Sequence, residues 1–344
     1  MSSRPMPLRP LGRTGVHVSP LCLGAMMFGA MGNTDIDECA RIIHRAVESG
    51  INLIDTADIY SRGGSEEIIG KAIAGGLRDD LVIATKFSLP MSEHRNHAGS
   101  SRRWIFRSVE GSLRRLGTDW IDIYQAHRPD PTADIEETIE ALGDLVRAGK
   151  ILYAGHSTFA PHEIVEAQWA AERRRTIRFA TEQPRYSLLS RAIESDVLPI
   201  CAKYQLGVMP WSPLAGGWLS GRDVSGSTEL RSPRGRTMPT RFDPAAPENA
   251  ATVTAVRAFQ ELSAELGISL IHLALAFVMS NPTVTSAIIG PRTMEHLESQ
   301  IGAVGVELGP EVRARIDEIV PPGADVMPLP PITRAKPTPL PPPA

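Results

Sequence analysis

The sequence predicts one α/β domain, a (β/α)8 (TIM) barrel with an N-terminal β-hairpin and long loops at the carboxyl ends of its strands. Three observations carry the prediction. Short apolar runs of strand length alternate with longer stretches of helical periodicity, the pattern of parallel strands joined by crossover helices. There are eight such runs, which favours a closed barrel over an open sheet. The residues that do not fit a plain core, Asp55, Lys86, His127, Ser157, Gln183, Trp211 and Gly290, all fall at the carboxyl ends of these runs, where the chemistry of such a barrel belongs.

Taken in order, residues 6 to 19 read as a small hairpin around Gly12-Arg13-Thr14-Gly15. The first strand, Ser19 to Gly24, runs into a loop, Gly24-Ala25-Met26-Met27-Phe28-Gly29, whose glycines would let a flat cofactor approach the backbone. Ile36, Ala40, Ile43 and Val47 give helical spacing from Asp35 to Ser49. The second strand is Ile51 to Ile54 and ends at Asp55. Ser65 is the expected N-cap of the next helix, with Glu66 and Glu67 in its first turn. Strand three, Asp80 to Lys86, leads through a polar loop to a helix over residues 101 to 116. Strand four, Trp120 to His127, stops at Arg128-Pro129-Asp130-Pro131, which continues neither helix nor central strand. Then follow a helix from Asp134 to Ala148, strand five from Ile151 to Ser157, and a helix from Pro161 to Arg174. Strand six is Arg178 to Gln183, its helix Ala192 to Tyr204, and strand seven Gly207 to Trp211.

Residues 222 to 247 are rich in Gly, Pro, Ser and Arg; a loop this long is functional or disordered. A helix spans Glu248 to Leu266, and Ile268 to Met279 is a buried extra turn or its continuation. Strand eight is Ser286 to Ile289, with helices from Thr293 and over Glu311 to Ile319. The barrel domain is thus residues 1–320. The Pro-rich tail, residues 321–344, has too few apolar side chains to bury and reads as disordered or extended polyproline.

The formal charge of −3, from 36 basic and 39 acidic residues, argues against nucleic acid or an anionic membrane as the main partner. Cys22, Cys39 and Cys201 are far apart and form no C-x-x-C pair. This argues against a disulfide framework or a zinc site and fits a reducing cytoplasm; no signal-peptide pattern is evident at the N-terminus.

Asp55, Lys86 and His127 close three successive strands, and Tyr60 lies one loop beyond Asp55. Lysine is scarce here: Lys71, Lys86, Lys150, Lys203 and Lys336 are the whole set, and one of them ends a buried strand. A buried carboxylate needs a cation, and a buried ammonium needs a carboxylate. Around these residues stand Gly50-x-Asn52-x-x-Asp55-Thr56-Ala57-x-x-Tyr60, Gly64-Ser65-Glu66, Ala84-Thr85-Lys86 and Tyr124-Gln125-x-His127-Arg128-Pro129-Asp130. Later come Gly155-x-Ser157, Glu182-Gln183-Pro184-x-Tyr186-Ser187-Leu188, Trp211-Ser212-Pro213-Leu214-x-Gly216-Gly217 and Ile289-Gly290-Pro291-Arg292-Thr293. By these motifs, in this order over residues 7 to 303, the chain resembles the aldo-keto reductases, NADPH-dependent carbonyl reductases on a (β/α)8 barrel. The resemblance extends to potassium-channel β subunits, which share the fold and these residue types; it also implies that the hairpin plugs the barrel.

The resemblance implies a catalytic set of Asp55, Tyr60, Lys86 and His127. Reduction of a carbonyl needs a hydride, which side chains do not supply and a nicotinamide does. The proton needs an acid beside the carbonyl oxygen, and Tyr60 is the candidate. A free phenol donates poorly at neutral pH, and a neighbouring ammonium, Lys86, favours its ionised form. Asp55 would fix and neutralise Lys86, and His127 would orient the substrate oxygen. No G-x-G spacing occurs, so the Rossmann fingerprint is absent. By resemblance the NADPH (NADP+) contacts are Gly24, Ala25, Met26 and Asp55, then Ser157 and Gln183 at the carboxamide and Trp211 on the nicotinamide face. Ser212, Pro213, Leu214 and Gly216 would lie along the pyrophosphate, and Gly290, Arg292 and Gln300 at the adenosine phosphate. Thr158 stands where many relatives have Asn, and His296 where many have Gln. An Arg292 fork on a 2′-phosphate suggests NADPH over NADH. Phe28, Phe87 and Arg128 are the expected pocket walls for a small carbonyl substrate, whether aldehyde, α-dicarbonyl or ketone; no metal is expected. The alternative is an NADPH-binding regulatory subunit with little turnover.

Overall fold

The computed structural model describes residues 6–221 and 238–327. The hairpin is present: β1 (Arg9–Pro10) pairs antiparallel with β2 (His17–Val18). Eight parallel strands follow: β3 (Leu21–Gly24), β4 (Leu53–Asp55), β5 (Val82–Phe87), β6 (Ile121–Ala126), β7 (Ile151–Ser157), β8 (Thr181–Gln183), β9 (Gly207–Val208) and β10 (Ala287–Ile289). Their order is β10-β3-β4-β5-β6-β7-β8-β9. Across the remaining gap, Thr285 N donates to Val208 O at 2.9 Å and Ile288 N to Pro210 O at 2.9 Å. These bonds join the two edges, and the sheet is a (β/α)8 barrel.

Inside it, Cys22, Leu53, Ala84, Ile123, Met209 and Ile288 form a buried cluster closed by Leu11 and Val18 of the hairpin. The hairpin is therefore a plug under the barrel floor. An added Cβ at Gly12 would lie 2.5 Å from Gln205 O, so the plug needs glycine at its point of closest approach.

Helices cover the outside: α1 (Ile36–Glu48), α2 (Gly64–Ile73), α3 (Arg102–Leu116), α4 (Ile135–Arg147), α5 (Pro161–Arg174), α6 (Val197–Tyr204), α7 (Ala250–Glu265), α8 (Leu270–Ser280), α9 (Met294–Ile301) and α10 (Pro310–Ile319). A further single turn occupies Pro239–Phe242. Asp35, Ser101, Asp134 and Thr293 cap α1, α3, α4 and α9 through their side chains. Each of these short polar residues immediately precedes its helix, which is why those starts were readable.

Four expectations are corrected. The segment from Ile268 is neither an extra turn nor a continuation: α7 and α8 are separate helices, bent 97° apart, and Ser269 caps the second by accepting from His272 N. The helix expected from Ala192 is a 3-10 turn, Ala192–Glu194, followed by α6. Ser65 is not an N-cap. It lies inside α2, fully buried, and donates to Ala25 O at 2.8 Å. Finally, residues 321–327 are packed, not loose. Val326 N donates to Leu189 O at 3.0 Å, Arg191 N to Ala324 O at 2.8 Å, Asp325 pairs with Arg185 at 2.9 Å, and Met327 is buried. Backbone pairing and one ion pair hold this stretch, so a count of apolar side chains missed it. Residues 222–237 of the long loop and 328–344 of the tail lie outside the described residues.

Candidate active site

The barrel brings Asp55, Lys86, Tyr60 and His127 together. Parallel pairing sets β4, β5 and β6 in step, with Asp55 opposite Ala84 and Lys86 opposite Gln125, so the polar residues emerge at one rim. Lys86 Nζ lies 2.5 Å from Asp55 Oδ1 and 2.8 Å from Thr56 O. Both side chains are buried. Gln183 Nε2 donates to Asp55 Oδ2 at 2.8 Å and Gln125 Nε2 does so at 3.3 Å, so both carboxylate oxygens are satisfied. Burial pushes the Lys86 pKa down, but the Asp55 carboxylate and the Tyr60 phenol outweigh it and hold it above the usual lysine value. The ammonium is thus a fixed positive charge in a dry place.

Tyr60 opens a 3-10 turn, Tyr60–Gly63, in which Ser61 and Arg62 take left-handed backbone at φ 50° and 53°. That turn swings Tyr60 back over the strand ends. Lys86 Nζ sits 5.1 Å from the centre of its ring, and the His127 ring meets it edge-on at 5.7 Å. The Ser61 hydroxyl donates to Phe28 O at 2.9 Å and anchors the turn. Burial, then the Lys86 and Arg128 charges, hold the His127 pKa well below the usual histidine value. The ring is therefore neutral at neutral pH and keeps one N–H to donate; its buried Nδ1 has no protein partner.

Sequence reasoning missed the layer beneath. Glu66, fully buried, accepts from Thr85 Oγ1 at 2.6 Å and pairs with Arg115 at 2.7 Å. Asp58, two residues before Tyr60, accepts from Ser108 Oγ at 3.0 Å, while its Oδ1 is unpartnered. His156 Nδ1 contacts Glu182 Oε2, both fully buried, and Phe159 stacks on the imidazole at 4.5 Å. The available signal was charge inside otherwise apolar runs: His156 and Glu182 both lie within strands.

Asp58 makes a prediction. Burial, then the Glu66 charge, pushes its carboxyl up to about 7. Its unfolded value is near 3.9. The folded state therefore holds the proton more tightly, and Asp58 subtracts stability as pH rises from about 4 through 7. Asp58→Asn keeps an acceptor for Ser108 and removes the charge. Its stability advantage over the native protein is expected to grow by roughly 1–3 kcal/mol between pH 5 and pH 8. Urea unfolding of both proteins at the two pH values checks this.

The residues expected at a cofactor lie around the other half of the rim. Ser157 and Gln183 are neighbours on β7 and β8, with Ser157 Oγ donating to Gln183 O at 2.8 Å. Trp211 is half-buried past β9, its Nε1 shielded and without a partner among the described residues. Ser212, Ala215, Gly216 and Gly217 all have positive φ, and a Cβ added at Gly217 or Gly290 would meet open space. Pro213 is buried, and Leu214 and Gly216 are half-buried in this turn. Arg292 precedes the N-terminus of α9, where Asn33 Nδ2 donates to its carbonyl at 2.7 Å. Gln300 is buried with Oε1 unpartnered. On the first loop, Met26 is half-buried and Ala25 fully buried.

Packing bears on the roles expected of Gly24, Phe28 and Phe87. A Cβ on Gly24 would lie 2.6 Å from Ile288 Cγ2, so the contact of β3 with β10 itself requires glycine there. Phe28 and Phe87 are fully buried, Phe87 against Tyr124 at 4.8 Å, and neither walls an open pocket. Arg128, by contrast, sits at the rim directly after His127.

The chain is similar over nearly its whole length to known proteins. The family model described as "Aldo/keto reductase family" matches residues 20–321. An uncharacterized oxidoreductase of Bacillus subtilis, YrpG, is 41% identical over 326 residues, covering 92% of this chain and 96% of that protein. A putative voltage-gated potassium channel subunit beta of Schizosaccharomyces pombe is 35% identical, covering 92% and 93%. The norsolorinic acid reductase stcV of Emericella nidulans is 32% identical over 319 residues, covering 89% and 79%.

Proposed function

The chain belongs to the aldo/keto reductase family, a family of oxidoreductases, and from that premise we propose that it reduces an aldehyde or ketone to the alcohol with NADPH. The observation that carries this reading is the buried Lys86–Asp55 pair lying under Tyr60. A fixed cation beneath a phenol is the arrangement a tyrosine needs to act as an acid near neutral pH.

The buried atoms of Trp211 and Gln300 that have no partner among the described residues, the positive φ at Ser212 and from Ala215 to Gly217, and the open space at Gly290 fit a dinucleotide laid across this half of the rim. Bound there, NADPH would supply the hydride to the carbonyl carbon. Tyr60 gives its hydroxyl proton to the carbonyl oxygen. Lys86, held by Asp55 and Thr56, stabilises the phenolate left behind. Neutral His127 hydrogen-bonds the same oxygen and orients it. Ser157 and Gln183 would hold the carboxamide, and Trp211 would cover the nicotinamide face. Arg292 would take the 2′-phosphate, beside a helix N-terminus that itself favours anions.

Arg292→Ala is expected to weaken NADPH binding by about 1.5–3 kcal/mol and to leave NADH nearly unchanged. Fluorescence titration with both cofactors measures it, and equal losses would assign Arg292 another role. The three cysteines are buried free thiols, which supports a cytoplasmic setting. Among the described residues no single helix is long and apolar enough to cross a membrane.

A second reading rests on the relatives named as potassium-channel β subunits: an NADPH-binding regulatory subunit with little turnover. Purified protein with NADPH and a panel of carbonyls separates the two. Loss of nicotinamide absorbance supports the reductase; tight NADPH binding without turnover supports the subunit.

A further inference from the structure

Among the described residues Arg128 is a cation without a counter-charge. Several other half-buried or buried arginines meet carboxylates, Arg78 with Asp122 at 2.7 Å, Arg115 with Glu66 at 2.7 Å and Arg191 with Glu194 at 2.9 Å, while Arg9 is held by the carbonyls of Met279 and Val284. Arg128 makes no such pair among the described residues. Its NH1 donates to the carbonyl of His127, its own neighbour, at 2.6 Å, and its Nε is shielded from water with no hydrogen-bond partner among the described residues. Burial lowers its pKa from the usual arginine value, and the acidic groups it senses are the Tyr60 phenol and Glu182. Glu182 is already engaged by His156. Lys86 is neutralised by Asp55, and His127 is neutral, so among the described residues the rim beside Tyr60 carries one uncompensated positive charge.

Burying a charge without a partner is costly, and a guanidinium fork matches a carboxylate or phosphate through two parallel hydrogen bonds. The position is also fixed from behind: Arg128 N donates to Ser88 Oγ at 3.2 Å, tying the end of β6 to that of β5. Apart from Asp55, the candidate cofactor residues lie on β7 and β8 and at the ends of or on the loops after β3, β9 and β10, so an anion at Arg128, after β6, falls on the side of the rim left for the substrate.

We propose that Arg128 is the specificity-determining anion site of this enzyme: the preferred carbonyl substrate carries a carboxylate or a phosphate, and the Arg128 guanidinium binds it while the carbonyl oxygen faces Tyr60 and His127. The proposal rests on the reductase reading above and names its substrate class.

Matched substrate pairs test it. Succinic semialdehyde against butanal reads a carboxylate; glyceraldehyde 3-phosphate against glyceraldehyde reads a phosphate. In at least one pair the native protein is expected to favour the anionic member by about tenfold or more in kcat/KM, mainly through KM. Whichever pair shows the preference identifies the anion. Arg128→Met removes the preference and Arg128→Lys restores part of it. A preference unchanged in Arg128→Met overturns the proposal, as does the absence of any preference while neutral carbonyls are reduced. Loss of NADPH affinity in Arg128→Met with the preference intact assigns the anion to the cofactor and also overturns it. A binding measurement keeps the two readings apart. Butyrate and methyl phosphate, titrated calorimetrically, should bind the native protein about tenfold more tightly than Arg128→Met for at least one of the two. Equal binding of both overturns the anion site, whether or not any carbonyl is turned over. If no carbonyl is reduced yet the anion binds through Arg128, the reductase reading fails and the anion site stands.

Discussion

Tyr60→Phe is expected to lower carbonyl reduction by at least about 10²-fold and to leave NADPH affinity nearly unchanged. The substitution removes one hydroxyl and keeps the ring, so its contacts with Lys86 at 5.1 Å and with His127 at 5.7 Å survive. The lost group is the proposed proton donor, and general acid catalysis is worth about 10²–10⁴ in rate. The loss should appear in kcat and kcat/KM together, because the proton moves only on the way to the transition state. Neutral His127 offers no comparable acid in its place: the charges of Lys86 and Arg128 oppose its protonation.

Lys86→Met is expected to cost activity and stability together. The ammonium is fully buried and its closest partner is Asp55 at 2.5 Å. Removing one member of a buried ion pair strands the other and costs about 3–5 kcal/mol. The lower end is expected here, because Gln183 and Gln125 still donate to the Asp55 carboxylate. Turnover falls as well, since the phenolate formed on proton transfer loses its cation. The two variants therefore separate: Tyr60→Phe melts like the native protein, whereas Lys86→Met melts several degrees lower. Melting curves and single-turnover rates on both distinguish them.

Much of this was legible in the sequence because it is written in local pattern. Apolar runs ending in Asp55, Lys86 and His127 give strands with functional ends, and parallel register does the rest. Asp35, Ser101 and Thr293 mark helix starts because a short polar side chain satisfies free amides there. What was not legible depends on contacts distant in sequence. Ser65 looks like a cap, yet its hydroxyl is drawn inward to Ala25 O, forty residues away. Gly24 looks like room for a ligand alone, yet the close approach of Ile288 by itself requires glycine there. Residues 321–327 look like a loose proline-rich tail, yet they are held by backbone bonds to Leu189 and Arg191 and by the pair with Arg185. Asp58 and Glu66 look like a loop residue and a helix-start acid; only the packing of α2 on α3 buries them together. The distinctive position of Arg128 follows likewise from which neighbours lack a carboxylate, a fact that no spacing records.

The central claim is that Tyr60 gives a proton to a carbonyl oxygen whose carbon takes a hydride from NADPH. Single-turnover reduction with NADPH carrying deuterium at both nicotinamide C4 positions tests it most directly, with product analysed by mass and rate followed by absorbance. The account predicts one deuterium in the alcohol formed by the native protein, and the same labelled alcohol from Tyr60→Phe at least about 10² times more slowly. Unlabelled alcohol, or an equal rate in the two proteins, would contradict it.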